Sequence, residues 1–357
     1  MKIVAGLGTS AVAAVTTGHR VFFLVQAILM GVSVATTALI ARYWGGDETQ
    51  KAEMVAWTSI LLSMALAAVI SVPELFAPKA IAGAFGLDAE TTRLAASFIF
   101  WLGVFNLFSA DNMILATALR ATGDVISPLW FLLFSSSLNV LFAYALAFGI
   151  GPLPQLGVAG VAAGGSLGAT LVTIVFVGFW WREKFNIKPI KRATIDRAAA
   201  RQLVGIGAPA IIEQGIIQLA FLVFFAIVAQ YGTAAYAAYG IGITLVSFSI
   251  VIGFGFGFAT ATLVGQQLGA GHPDLAIAVG NRSLIMSLAA MIVLSILLAY
   301  FARDLASFMI DDPEVIHLTV IFIYMIAAAH PLMACEFAVG GALRGAGDTR
   351  FPLIATF

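Results

Sequence analysis

A single cysteine, Cys335, leaves nothing from which to build a disulfide framework, a CxxC metal site or a redox pair. Charge is almost as scarce. Asp, Glu, Lys and Arg make up 10% of the 357 residues against 61% hydrophobic residues, and the mean hydropathy is +1.02. A soluble domain carries about one quarter charged and about one half apolar residues. The positive and negative charges cancel to a formal net charge of zero, which says little about partners, and no nucleic-acid partner is expected. HExxH, GxSxG and P-loop patterns are missing as well, and the four histidines (His19, His272, His317 and His330) are scattered. No enzyme chemistry and no cofactor is therefore expected. The opening MKIVAGLGTSAVAAV has one lysine and a short apolar stretch, but the repeat described below accounts for these residues without a cleaved signal.

What is present is a series of charge-poor runs long enough to cross a bilayer, which takes about 20 apolar residues at about 1.5 Å each. Residues 21–41 and 54–73 form two such runs, and 94–119 form a third that contains Asp111. The stretch 125–181 carries no charge and breaks at GIGPLPQLG (149–157), where glycine and proline mark a turn. Residues 202–273 carry only Glu213 and break at QYGTAAY (230–236). Runs at 283–302 and 315–343 bring the total to nine. Open strands cannot span lipid with unpaired edges, and the runs lack strict alternation, so the sequence predicts an all-α polytopic membrane protein.

One segment is strongly polar. In 182–201, Arg182, Lys184, Lys188, Lys191, Arg192, Arg197 and Arg201 form a basic linker, which the positive-inside rule places in the cytoplasm. It divides the chain into an N-terminal lobe (1–181) and a C-terminal lobe (202–357). With alternate loops assigned accordingly, thirteen Lys and Arg fall inside and five outside. The orientation rests on the linker.

The two lobes share a text. ALRATGDVISPL (118–129) returns as ALRGAGDTRFPL (342–353), so Arg120, Asp124 and Pro128 reappear 224 residues later as Arg344, Asp348 and Pro352. The same offset pairs Gly31, Ala35, Thr36, Leu39 and Gly45 with Gly255, Ala259, Thr260, Leu263 and Gly269. Six spans fit within one period, and an even number returns the chain to the same side. The repeats are therefore expected to be parallel, related by a pseudo-twofold axis along the membrane normal. On this reading the first lobe lacks most of its first helix and the second its last two, a fragment of a twelve-helix parent of about 450 residues. Gly123 and Gly347 suit left-handed C-terminal caps, and Asp124 and Asp348 suit N-caps of the helices that follow.

VGQQLGAGHPDLA (264–276), its counterpart ARYWGGDETQKA (41–52), the paired LRxxGD turns and GAPAIIEQ (207–214) resemble the multidrug and toxic compound extrusion transporters along essentially the whole chain. The resemblance implies two six-helix lobes around a central cavity in the cell's inner membrane, with the linker and LRxxGD loops cytoplasmic. It also implies export of small organic, often cationic, compounds in exchange for Na⁺ or H⁺, by a monomer whose only other partner is lipid. Some members place an important aspartate in the first helix, which this sequence does not supply.

Acids inside spans are the candidates for chemistry, because a carboxylate at mid-membrane costs on the order of 3 kcal/mol and needs a partner or a wet cavity. Glu213 lies on the helix after the linker. Asp111 lies nine residues before Arg120 and Glu336 eight before Arg344, which puts both roughly 12–14 Å from a helix end. Glu213, Glu336 and Asp111 are thus the expected ion-coupling residues. Gln214, Gln218, Asn112, His330 and Phe254 are the expected cavity residues. The rival readings are a lipid-linked saccharide flippase of similar bundle, which would want a basic cavity, and a polytopic membrane enzyme.

Overall fold

In a computed structural model of the chain, residue 4 and residues 9–150, 154–190 and 195–357 are described. They form nine helices long and apolar enough to cross a membrane, and no strand occurs among them. In chain order these are α1 (Thr9–Gly45), α2 (Thr49–Phe76), a short α3 (Pro78–Gly83), α4 (Ala89–Ala121), α5 (Ile126–Phe148) and α6 (Val158–Trp181). Then follow α7 (Arg197–Ala229), α8 (Thr233–Gly269), α9 (Pro273–Tyr300), a short α10 (Ala302–Met309), α11 (Pro313–Gly345) and a short α12 (Arg350–Thr356). The chain is an all-α polytopic membrane protein.

The 224-residue period reaches the helix ends: α1 and α8, α2 and α9, and α4 and α11 begin and end at equivalent positions. Local chemistry explains why. Asp88 caps α4 by accepting from the amides of Glu90 and Thr91 at 3.0 Å, and Asp312 caps α11 by accepting from Glu314 at 2.9 Å and Val315 at 3.3 Å. Each cap satisfies two of the four amides that a helix start leaves unpaired. At the other end, Gly123 (φ +95°) and Gly347 (φ +88°) take the left-handed conformation. The amides of Asp124 and Asp348 then donate back to the carbonyls of Leu119 and Leu343 at 3.1 and 2.9 Å, closing a Schellman turn on each helix. The carboxylates of Asp124 and Asp348 next accept from Ser127 at 3.0 Å and from Arg350 and Phe351 at 3.0 and 3.1 Å, starting the following helix.

The chain forms two compact units, one of Met1–Thr36 with Glu48–Ile211, the other of Thr37–Asp47 with Ile212–Phe357. In the first, α5 and α6 interlock through glycine. A Cβ at Gly160 or Gly164 would meet the Leu146 or Phe142 carbonyl, and one at Gly168 would lie 2.7 Å from the Leu138 carbonyl carbon. Lipid tails are as apolar as the helices, so this close van der Waals fit and a few polar contacts hold the pair together. Asn139 donates to the Gly165 carbonyl at 3.0 Å, and Phe131 stacks on Phe176 at 4.1 Å. In the second unit, α8 and α11 use the same device, since a Cβ on Gly341 or Gly345 would strike the Gly257 or Ala261 carbonyl. The last turns of α1 and α8 also cross there, Gly45 against Gln266 and Gly269 against Arg42.

The basic segment is no free tether along its described length. Trp180 Nε1 donates to the Ile187 carbonyl at 3.0 Å, the Lys188 amide donates to Glu53 at 3.1 Å, and Ile187 is fully buried, so residues 182–190 dock on the first unit. From Arg197 the chain is already α7. Lys191 and Arg192, with Gly8 and part of the 149–157 turn, lie outside the described residues.

Candidate functional site

Glu213 sits midway along α7, 1% exposed. Its Oε1 accepts from Arg344 Nη2 on α11 in an ion pair within the second unit, and its Oε2 is buried with no hydrogen-bond partner among the described residues. The Arg344 side chain is 16% exposed. Glu336 stands eight residues before Arg344 on α11, about 12 Å along the axis. It is exposed, and it interacts electrostatically with both Arg344 and Glu213. Two carboxylates and one guanidinium therefore share a field. With both acids ionised the group carries one negative charge in excess.

Arg344 was not expected here. It lies in the last turn of α11 and carries no sequence signal of an acidic partner. Its long side chain nevertheless brings the guanidinium to a buried acid, as flexible cationic stems do. The sequence carried one usable signal, the rule that an acid kept in a membrane helix needs a partner.

The remaining candidates divide between the units. On α7, Gln214 and Gln218 are half-buried. His330 on α11 is fully buried, Nε2 2.8 Å from the Ser249 hydroxyl on α8, with Nδ1 unpartnered among the described residues. Phe254 stacks on Phe258 at 5.8 Å and meets Phe337 edge-on at 5.1 Å, inside a packed cluster with Met291 and Ala334. In the first unit, Asp111 on α4 is half-buried, and its Oδ1 has no hydrogen-bond partner among the described residues. Its neighbour Asn112 donates to the Thr173 hydroxyl on α6 at 3.1 Å.

One acid escaped the sequence reading altogether. The second charge-poor run ends at Pro73, and the charge of Glu74 read as its boundary. In the structure α2 continues through Pro73 to Phe76, and Glu74 is 3% exposed with Oε2 buried and unpartnered among the described residues. Proline is tolerated inside membrane helices because neighbouring groups re-satisfy the freed carbonyl, and the Pro73 carbonyl itself accepts from Ala77 at 2.9 Å. Among the described residues no group of three or more His, Cys, Asp or Glu is arranged to hold a metal ion.

Comparisons with known proteins agree on what the chain resembles. The MatE family model matches residues 1–145 and 209–357. A protein of Thermotoga maritima described as probable multidrug resistance protein NorM is 26% identical over 361 residues, covering 100% of this chain and 75% of that protein. An FAD transporter of Shewanella oneidensis is 27% identical over 330 residues, covering 91% of this chain and 72% of its own length. Among solved structures, a MOP superfamily transporter from Pyrococcus furiosus superposes with a TM-score of 0.92 at 20% identity, over 99% of this chain and 79% of the other. A point mutant of the Vibrio cholerae MATE transporter VcmN gives 0.92 at 18% identity, over 99% and 80%.

Proposed function

The chain belongs to the MatE family of membrane transporters, and from that premise we propose that it is a cation-coupled antiporter. It exports small organic, often cationic, compounds across the cell's inner membrane by alternating access. Na⁺ or H⁺ is the coupling ion and no cofactor takes part. The multidrug resistance protein of T. maritima, 26% identical across the whole chain, supports the cargo class. The basic segment from Arg182 to Arg201 supports a cytoplasmic position for the linker and for the LRxxGD turns.

The observation that carries the coupling is the Glu213, Arg344 and Glu336 group. Its excess negative charge is costly where water is scarce, and one proton or monovalent cation cancels it. An ion of that kind binds the conformation that holds the acids together more tightly than one that hydrates them separately. Only such differential affinity moves a two-state equilibrium, and about 5.5 kcal/mol fully inverts a 1:99 population. The membrane potential contributes about 2.3 kcal/mol per charge per 100 mV. Gln214 and Gln218, on the turns beside Glu213, offer amide contacts to cargo, whereas His330 is fully buried against Ser249 and Phe254 is packed in an apolar cluster, so neither lines a cavity. Asp111, one residue out of register with Glu336 on the equivalent helix, is the candidate acid of α4 in the first unit.

A second reading has one relative behind it: the S. oneidensis FAD transporter suggests an anionic, nucleotide-bearing cargo. Such a cargo wants free basic groups, as a lipid-linked saccharide would in a flippase. Arg344 is already committed to Glu213. The antiport reading is tested in everted membrane vesicles, where uptake of a fluorescent organic cation should rise when a Na⁺ or proton gradient is imposed and collapse when an ionophore removes it. Uptake indifferent to both gradients overturns it.

A further inference from the structure

Within the first unit, Leu171, Ile174, Gly178 and Trp181 follow one another on α6 at helical spacing and form a single stripe. Leu171, Ile174 and Trp181 are 41%, 54% and 48% exposed, and a Cβ at Gly178 would meet nothing, so the stripe holds an open notch between apolar side chains. Beyond Trp181 the helix closes in a Schellman turn. Glu183 takes the left-handed conformation (φ +55°), its amide donates to the Trp180 carbonyl at 2.9 Å, and the Lys184 amide donates to the Phe179 carbonyl at 3.2 Å. The segment that follows is fastened down. Trp180 Nε1 holds the Ile187 carbonyl at 3.0 Å, Phe185 meets Phe176 edge-on at 5.5 Å, and Pro189 is buried. Arg182, Lys184 and Lys188 are exposed on this fixed segment. Residues 182–201 as a whole set seven Lys and Arg against two acids, Glu183 and Asp196.

We propose that the end of α6 and the docked residues 182–190 form a binding site for an anionic phospholipid, with Arg182, Lys184 and Lys188 holding its phosphate and an acyl chain lying in the notch at Gly178. α6 is long and apolar enough to span the membrane and ends at Trp181. The basic residues therefore stand at the level of the headgroups, where tryptophan also gathers. Lys and Arg beside a span favour anionic over zwitterionic headgroups, by about fivefold for each charge near the surface. The Arg182 guanidinium presents a planar fork that matches two phosphate oxygens, and the lysines add point charges. An acidic protein would use the charges but not an open apolar stripe that runs back into the hydrocarbon, so the two features together fit a lipid. Glu183 lies 3.5 Å from Lys188 Nζ with both side chains exposed, a pair that solvent screens and a phosphate can displace. Because Trp180 and Phe185 already hold the segment, little ordering is left for binding to supply. The site needs only that α6 crosses the membrane, and it stands or falls apart from the antiport reading.

The test is native mass spectrometry of the purified full chain in detergent. It is titrated with phosphatidylglycerol, with phosphatidylcholine of the same acyl chains, and with phosphatidylglycerol in the presence of millimolar inorganic phosphate. The wild-type protein should hold phosphatidylglycerol at least about tenfold more tightly than phosphatidylcholine, and free phosphate should not remove it. Arg182→Gln, Lys184→Gln and Lys188→Gln combined should abolish the preference and leave phosphatidylcholine binding unchanged. Trp180→Phe keeps every charge but removes the bond to Ile187, and Gly178→Leu fills the notch; each should weaken the preference several-fold. No preference in the wild type, an undiminished preference in the triple variant, or displacement of the lipid by inorganic phosphate overturns the proposal. A preference untouched by both Trp180→Phe and Gly178→Leu overturns it too, since net charge alone would then account for the binding. Should the triple variant fail to insert, Lys184→Gln alone must still cost about fivefold, and an unchanged preference is equally fatal.

Discussion

Asn106 in the first unit and His330 in the second occupy equivalent positions, 224 residues apart, and each is buried with one side-chain nitrogen unpartnered among the described residues. Around them the two units share their ends and differ inside. Asp88 and Asp312 cap equivalent helices, and Gly123 and Gly347 close them. In between, Glu74 answers to the position of Leu298, Asp111 to that of Cys335, and Asn112 to that of Glu336. Turn chemistry admits few residues, because a left-handed φ wants glycine and an N-cap wants a short acceptor, so the boundaries stay alike. Interior positions need only fit and be satisfied, so their chemistry is free to part. The second unit balances its deeply buried acid with a guanidinium. The first leaves its own uncompensated among the described residues.

That contrast can be broken at Arg344. Arg344→Ala strands Glu213 in the interior and should lower stability by about 3–5 kcal/mol, read from chemical denaturation of the purified protein. Adding Glu213→Gln should recover most of the loss. If the single and double variants are equally unstable, the pair is incidental and the two units are electrostatically alike.

The shared architecture predicts matched, smaller effects. Gly164→Val in the α5–α6 contact and Gly341→Val in the α8–α11 contact press a side chain onto a facing carbonyl and should each cost about 1–3 kcal/mol. A large difference between them in the same denaturation series would mean that one unit packs more loosely. Smaller still, Asp312→Ala should cost about 1 kcal/mol through loss of the α11 cap. Its counterpart Asp88 allows a check by acid. Hydrogen bonds from the Thr91 side chain and amide hold its carboxyl below the usual aspartate range. Its contribution is therefore complete above the unfolded-state value, about 3.9, and fades as the pH falls through the lower folded value. Asp88→Ala should thus narrow the gap to wild type in acid and leave it open at neutral pH.

Much of this was legible in the residues. Among the described residues nine spans follow from nine charge-poor runs because lipid punishes interruption, and the breaks read at 149–157 and 230–236 mark the α5–α6 and α7–α8 junctions, although 233–236 already belong to α8. The repeat located the Gly123 and Gly347 turns, while the helices after them take Val125 and Thr349, one residue beyond Asp124 and Asp348, as N-caps, and the Asp88 and Asp312 caps were not read from it. Reading between charges failed where helices carry charge inside them. It started α1 at residue 21, beyond His19 and Arg20, although the helix runs from Thr9, and it stopped α2 before Glu74. The pairing of Arg344 with Glu213 was missed for a different reason: the two lie 131 residues apart on different helices, with no spacing that links them.

The account turns on whether the acid paired with Arg344 couples ion to cargo. In proteoliposomes, Glu213→Gln should lose gradient-driven accumulation of an organic cation while still exchanging that cation downhill across the bilayer. Accumulation at the wild-type level in Glu213→Gln, under the same sodium or proton gradient, would contradict it.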